Sequence, residues 1–138
     1  MGKVDQGFIV LWMAKHFWKG ELSYLGYGST GKQVRDVLHV HDLFRLLDWQ
    51  MHHISSVNGN IFNVGGGLSS SVSLFELTEL CSSITGNSIP IHPITENRKA
   101  DIHIYITDNS KVFNYTVWSP QCTIENALQD VFEWLSQN

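Results

Sequence analysis

A chain of 138 residues with 43% hydrophobic content and ordinary glycine and proline usage can bury one core, and its composition is not that of a disordered segment. Its formal charge of −4 and pI near 5.9 remove any general attraction to nucleic acid or anionic membrane, so an anion site has to be local. Cys81 and Cys122 show neither metal spacing nor a disulfide framework, which points to two small buried hydrophobes in a reduced, cytoplasmic setting, and no stretch approaches the roughly 18 to 20 apolar residues of a membrane span.

In chain order, Phe8, Leu11, Trp12 and Trp18 recur near helical spacing, and Gly20 stands where a helix end wants a left-handed residue. Residues 22–25 read as a short strand, Gly26, Gly28 and Gly31 as turns, and residues 34–40 as a second extended segment. Asp42 is expected to cap a helix with Leu43, Leu46, Leu47, Met51 and Ile54 on its inner face, before a turn at Asn58-Gly59. Residues 61–64 follow as a buried strand. Ser73 and Glu76 form a capping box ahead of Leu74, Leu77, Leu80, Cys81 and Ile84, with Gly86 as the stop. Residues 89–92 suggest another strand, and Ile102, Ile104 and Ile106 alternate like a half-buried one. Asp108 is expected to cap a short helix through Val112 and Phe113, and Thr123 a last one carrying Ile124, Leu128, Val131 and Leu135 inward.

Few residues offer chemistry by themselves. The pairs His39/His41 and His52/His53 lack the cysteine or carboxylate cluster that a zinc site needs, so no metal is expected and His39 is read as a structural hydrogen-bonder. Gly65, Gly66 and Gly67 lead into serines without the spacing of a pyrophosphate-binding turn, which favours tight backbone packing. Five tryptophans without interleaved basic residues do not make a nucleic-acid stacking platform and are expected in the core or at an interface.

Three segments carry a resemblance: Asp5-Gln6-Gly7 before the aromatic helix, residues 31–42 (GKQVRDVLHVHD) with residues 60–67 (NIFNVGGG), and Trp118-Ser119-Pro120. Together they resemble the substrate-binding, C-terminal part of the extended short-chain dehydrogenase/reductases that act on nucleotide sugars, in a combination most similar to members that epimerise CDP-sugars. The resemblance runs over most of the chain and implies a mixed α/β substrate-binding domain, residues 1–138, without the cofactor-binding Rossmann half. The family's catalytic Tyr with a Lys four residues later is missing, because Tyr24, Tyr27, Tyr105 and Tyr115 are followed at that spacing by Gly28, Gly31, Asn109 and Ser119. The resemblance thus implies NAD in the full-length enzyme only, with no catalytic or cofactor-binding residue here and no turnover by this chain alone.

By the same resemblance Arg35 and Arg98 would clamp the diphosphate, Asp101 would lie near the ribose or the arginine, and Tyr105 would approach the nucleotide. Ser23 and Leu25 would flank the nucleobase, Leu68 would close its other side, and Gln6 would reach the substrate. A guanidinium suits the role, since its planar fork matches paired anionic oxygens. Without the resemblance, Arg35 reads as one half of an internal ion pair, Leu25 and Leu68 as core, and Gln6 as a surface residue. The reaction alternatives are a UDP-sugar 4-epimerase or a 4,6-dehydratase, and the alternative in kind is a non-catalytic sugar-nucleotide-binding or assembly module. The expected partners are a nucleotide-diphosphate sugar, the missing Rossmann half and a second copy of the chain, because Trp12 and Trp18 would form an exposed apolar patch.

Overall fold

The computed structural model describes residues 7–96 and 101–138. Its elements are α1 (Phe8–Phe17), β1 (Leu22–Leu25), β2 (Val34–Asp36), α2 (Val40–His52), the single turn α3 (Ile54–Val57), β3 (Ser71–Ser73), α4 (Leu74–Thr85), β4 (Ile91–Ile94), β5 (Ile104–Tyr105), α5 (Ser110–Tyr115) and α6 (Ile124–Gln137). The fold is mixed α/β, with two small sheets among the described residues. In one, β1 pairs in parallel with β4; in the other, β2 lies between antiparallel β3 and parallel β5.

The main core lies where α1, α4 and α6 meet the inner side of β1. Met13, Leu77, Cys81 and Leu128 are fully enclosed there, with Leu22, Tyr24, Val131 and Leu135 around them. Two ring donors enter this core with partners, since both Trp12 Nε1 (3.0 Å) and the Tyr24 hydroxyl (2.8 Å) donate to Thr78 Oγ1. A polar hydrogen buried without an acceptor would cost about 1–3 kcal/mol. A smaller cluster of Leu46, Val112 and Trp118 sits between α2 and α5.

Local chemistry places the helix starts. Ser73 accepts the Glu76 amide while Glu76 accepts the Ser73 amide, the expected reciprocal cap of α4, and Gly86 closes that helix at φ 70°. Thr123 caps α6 through a second such box with Asn126. Three expected caps shift. His39 Nδ1, not Asp42, accepts the His41 amide in the first turn of α2, because Asp42 is turned inward to other donors. Asp108 accepts the Ser110 amide from one position before Asn109, the residue at the cap of α5. At the end of α1 the left-handed residue is Lys19 (φ 54°), while the Gly20 amide closes back on Lys15.

Burial departs from expectation where an apolar stripe meets no neighbour. Of the predicted inner face of α2 only Leu46 is buried, whereas Leu43, Leu47, Met51 and Ile54 join Val40 and Phe44 in solvent. Residues 61–64 pair with no described strand, and Ile61 is 85% exposed. Ile102, Ile104 and Ile106 are exposed too, with only Ile104–Tyr105 in a strand, since β5 packs edge-on to β2 and no described layer covers its isoleucines. The predicted tryptophan patch is halved: Trp12 is buried by its bond to Thr78, and Trp18 alone stays exposed. No described helix is long and apolar enough to cross a membrane.

Candidate functional site

Alternation along two strands builds one cleft. On β1, Leu22 and Tyr24 point into the core, so Ser23 and Leu25 face the other way, together with Glu21 just before the strand. On β2, Arg35 faces that same side, and Gln33 two residues earlier shares its direction. With Phe8, Leu11 and Lys15 of α1 as one wall and Asp101 at the far end, these residues line an open cleft of about 730 Å³.

Arg35 is half-buried and held in place. Its Nη1 donates to the carbonyls of Val34 (2.8 Å) and His103 (3.4 Å), and its Nη2 pairs with Asp101 Oδ1 at 3.1 Å. Nε and the second Nη2 hydrogen have no partner among the described residues. A pair as accessible as this one adds little to stability, of the order of 1 kcal/mol or less, so its main effect is to aim the guanidinium. Gln33 Nε2 donates to the Leu25 carbonyl and lies 3.5 Å from Asp101 Oδ2, tying β1 to the arginine end. Tyr27 supports the same end from below: its hydroxyl donates to the Asp101 carbonyl and its ring stacks on His103, centroids 4.4 Å apart.

The structure brings Arg35, Asp101, Ser23 and Leu25 together at this cleft. Arg35 thus makes the internal ion pair that its residue type suggests while also facing the cleft. Gln6 and Arg98 lie outside the described residues. Tyr105 is the register partner of Arg35 and shares its face of the sheet, but it is exposed and not part of the lining.

Leu68 lies apart from this cleft. It is 78% exposed and lines a separate hollow with Gly67, Asn109 and Phe113. The reason is Asp36, which points away from Arg35 on the next position of β2 and accepts the Gly67 amide at 2.9 Å. That bond, with the two bonds between Asn109 and Gly65, holds the glycine run on the side of β2 opposite the cleft. A methyl group on Gly65 would overlap Thr107 and Asp36, and one on Gly66 would fall on the Val37 carbonyl. These glycines serve the protein's own packing, and the Gly65 and Gly67 amides are already spent, so the run does not fit a dinucleotide pyrophosphate.

Gln33, Lys15, Glu21 and His92 also line the cleft, and the sequence reading missed them. Two of them were accessible to it: Gln33 and Glu21 stand two positions before Arg35 and Ser23, on the same strand faces. Asp130 was not, since it reaches His39 Nε2 (3.1 Å) from 91 residues away. It completes a group of His39, His41 and Asp130 whose ligand-type atoms lie within 4.8 Å. His39 Nδ1 already accepts the His41 amide, which leaves the ring proton on Nε2, aimed at Asp130. The imidazole is engaged at both nitrogens as a helix cap and a donor.

A sequence model described as the NAD dependent epimerase/dehydratase family matches residues 2–65. Among curated proteins, the chain is similar to CDP-paratose 2-epimerase of Salmonella typhi, 32% identical over 113 residues that cover 78% of this chain and 32% of that protein. It is also similar to UDP-glucose 4-epimerase of Corynebacterium glutamicum, 27% identical over 77% of this chain and 32% of the relative. The fold recurs in UDP-glucuronic acid 4-epimerase from Bacillus cereus, solved with UDP-glucuronic acid and NAD, at a TM-score of 0.83, 17% identity and coverage of 96% of this chain and 40% of that one. It recurs in dTDP-glucose 4,6-dehydratase from Bacillus anthracis in complex with NAD, at a TM-score of 0.74, 25% identity and coverage of 97% and 40%. The chain therefore spans about a third of the length of the curated relatives it matches.

Proposed function

We propose that residues 1–138 are a single substrate-binding domain of an NAD-dependent nucleotide-sugar epimerase, taking a CDP-sugar in the manner of CDP-paratose 2-epimerase. The observation that carries this reading is the oriented Arg35 guanidinium, set by Asp101 at one end of a cleft whose floor is Ser23 and Leu25. Its remaining donors meet the diphosphate, with Arg98 as the proposed second clamp and Tyr105 and Gln6 as outlying contacts. The base lies along β1, where Leu25 and Leu11 supply apolar wall and Ser23 a polar contact. Held this way, the remote parts of the substrate supply orientation that lowers a barrier only where the sugar meets reactive groups outside this chain.

The exposed apolar side of α2, from Val40 to Ile54, is where we place the dinucleotide-binding half; NAD belongs to that half. In the isolated chain the same face would promote self-association, and the chain alone would not turn over substrate. The solved 4-epimerase and 4,6-dehydratase folds support a second reading in which the domain serves one of those reactions on a UDP- or dTDP-sugar.

Calorimetry with CDP-glucose, UDP-glucose and CDP on the chain and on Arg35→Ala tests the proposal. Binding that weakens at least tenfold in the variant is expected. Binding indifferent to Arg35 overturns the clamp, and a stable oligomer that binds no nucleotide favours a non-catalytic assembly module.

A further inference from the structure

The end of the cleft away from Arg35 carries a second polar group that the diphosphate clamp does not use. Glu21 continues the outward row of β1, Glu21, Ser23, Leu25, at about 6.6 Å for each two-residue step. It therefore stands roughly 13 Å along the strand from Leu25, whose carbonyl is tied through Gln33 to the arginine end. His92 is the register partner of Ser23 on β4, and its Nε2 lies 3.3 Å from Glu21 Oε2. Lys15 lines the same corner from α1, its stem packed over Gly20, where an added Cβ would come within 3.0 Å of it. An acid with an imidazole beside it, and an ammonium on the same cleft lining, thus stand where a nucleotide anchored at Arg35 and laid along β1 would end.

We infer that Glu21, beside His92, reads the amino edge of the pyrimidine and selects cytosine over uracil. This rests on the proposed placement of a nucleoside diphosphate along β1. Its chemistry is that of hydrogen-bond polarity. Cytosine presents an exocyclic N4 amino group, a donor that a carboxylate accepts, whereas uracil presents a carbonyl oxygen at the same position, which a carboxylate repels. His92 Nε2 lies 3.3 Å from Oε2, on the Glu21 oxygen that the ligand does not need, and Oε1 is left to the ligand. The Lys15 ammonium offers a donor to the ring carbonyl that both bases share, adding affinity without discrimination.

The test is the ratio of CDP to UDP affinity, measured by calorimetry on the wild-type chain, on Glu21→Gln and on Arg35→Ala. A carboxamide can present either a donor or an acceptor, so Glu21→Gln removes the polarity filter. Wild type is expected to favour CDP by at least tenfold, Glu21→Gln to bring the ratio near one, and Arg35→Ala to weaken both nucleotides while leaving the ratio unchanged. Glu21 is exposed, and equal melting temperatures of the variant and wild type establish that it folds. Binding of both nucleotides with a ratio indifferent to Glu21 overturns this inference and leaves the Arg35 clamp standing. Failure of wild type to bind either nucleotide removes both.

Discussion

Asp42 in the first turn of α2 accepts the backbone N–H of Cys122 at 2.8 Å, joining segments 80 residues apart in the chain. The same carboxylate takes the Gln121 amide (3.0 Å) and Arg45 Nη1 (3.0 Å), while the Asp42 carbonyl takes Trp118 Nε1 (2.8 Å). Burial alone would raise its pKa, but the amides of Cys122 and Gln121, with the Cys122 side chain and Arg45, outweigh that and hold it below the ordinary value. Asp42→Ala strips these donors of their acceptor and should cost about 3 kcal/mol in urea unfolding.

The pH dependence follows in sign. A carboxylate with a depressed folded pKa stabilises fully above its unfolded value, about 3.9, and that contribution is lost as pH falls through the lower folded value. The melting-temperature gap between wild type and Asp42→Asn should therefore narrow from about pH 5 downward. A gap constant to about pH 2 would show that the depressed pKa is not what couples Asp42 to stability.

Arg35→Lys keeps the charge and removes the fork. Loss of one charge-assisted bond, about 1.5 kcal/mol, corresponds to roughly tenfold weaker binding of CDP, with little change in melting temperature because the ion pair with Asp101 is accessible to solvent. Equal affinity for the Lys variant would mean that the site uses a point charge only.

Gly66→Ala should be among the most damaging substitutions of a single methyl group. The added carbon meets the backbone carbonyl of Val37, which cannot swing aside as a side chain would, so a loss of about 3 kcal/mol is expected by chemical denaturation. A loss below about 1 kcal/mol would mean that the run can shift away from β2.

Burial pushes the Cys81 thiol up to about 12, and the half-buried Cys122 thiol is raised as well, by burial and by the neighbouring Asp42 carboxylate. Iodoacetamide at mildly alkaline pH should modify Cys122 slowly in the native protein and reach Cys81 only in denaturant, as read by mass spectrometry of the digested chain. Native labelling of Cys81 would show that the α1, α4 and α6 core opens locally.

The Ser73–Glu76 box and the Thr123 cap were legible because each is written within a few consecutive residues, although the reciprocal bond from Asn126 went unread. The family resemblance picked out Ser23 and Leu25 together, and strand alternation extended two residues back would have added Glu21. The α2 stripe was read correctly as apolar, but periodicity reports only which face is greasy. Whether a layer covers Leu43, Leu47 and Met51 depends on chain outside the described contacts. Asp42 was misplaced for a related reason, since the amide of Cys122 that turns it inward is distant in sequence.

The cleft is shared by two sheets that have no strand in common, and the Gln33 carboxamide is a tie between them. A molecule long enough to touch Glu21 and Arg35 at once would therefore act as a cross-brace between the two sheets. Heat resistance should then rise more with an intact nucleotide than with inorganic pyrophosphate and free cytidine supplied together.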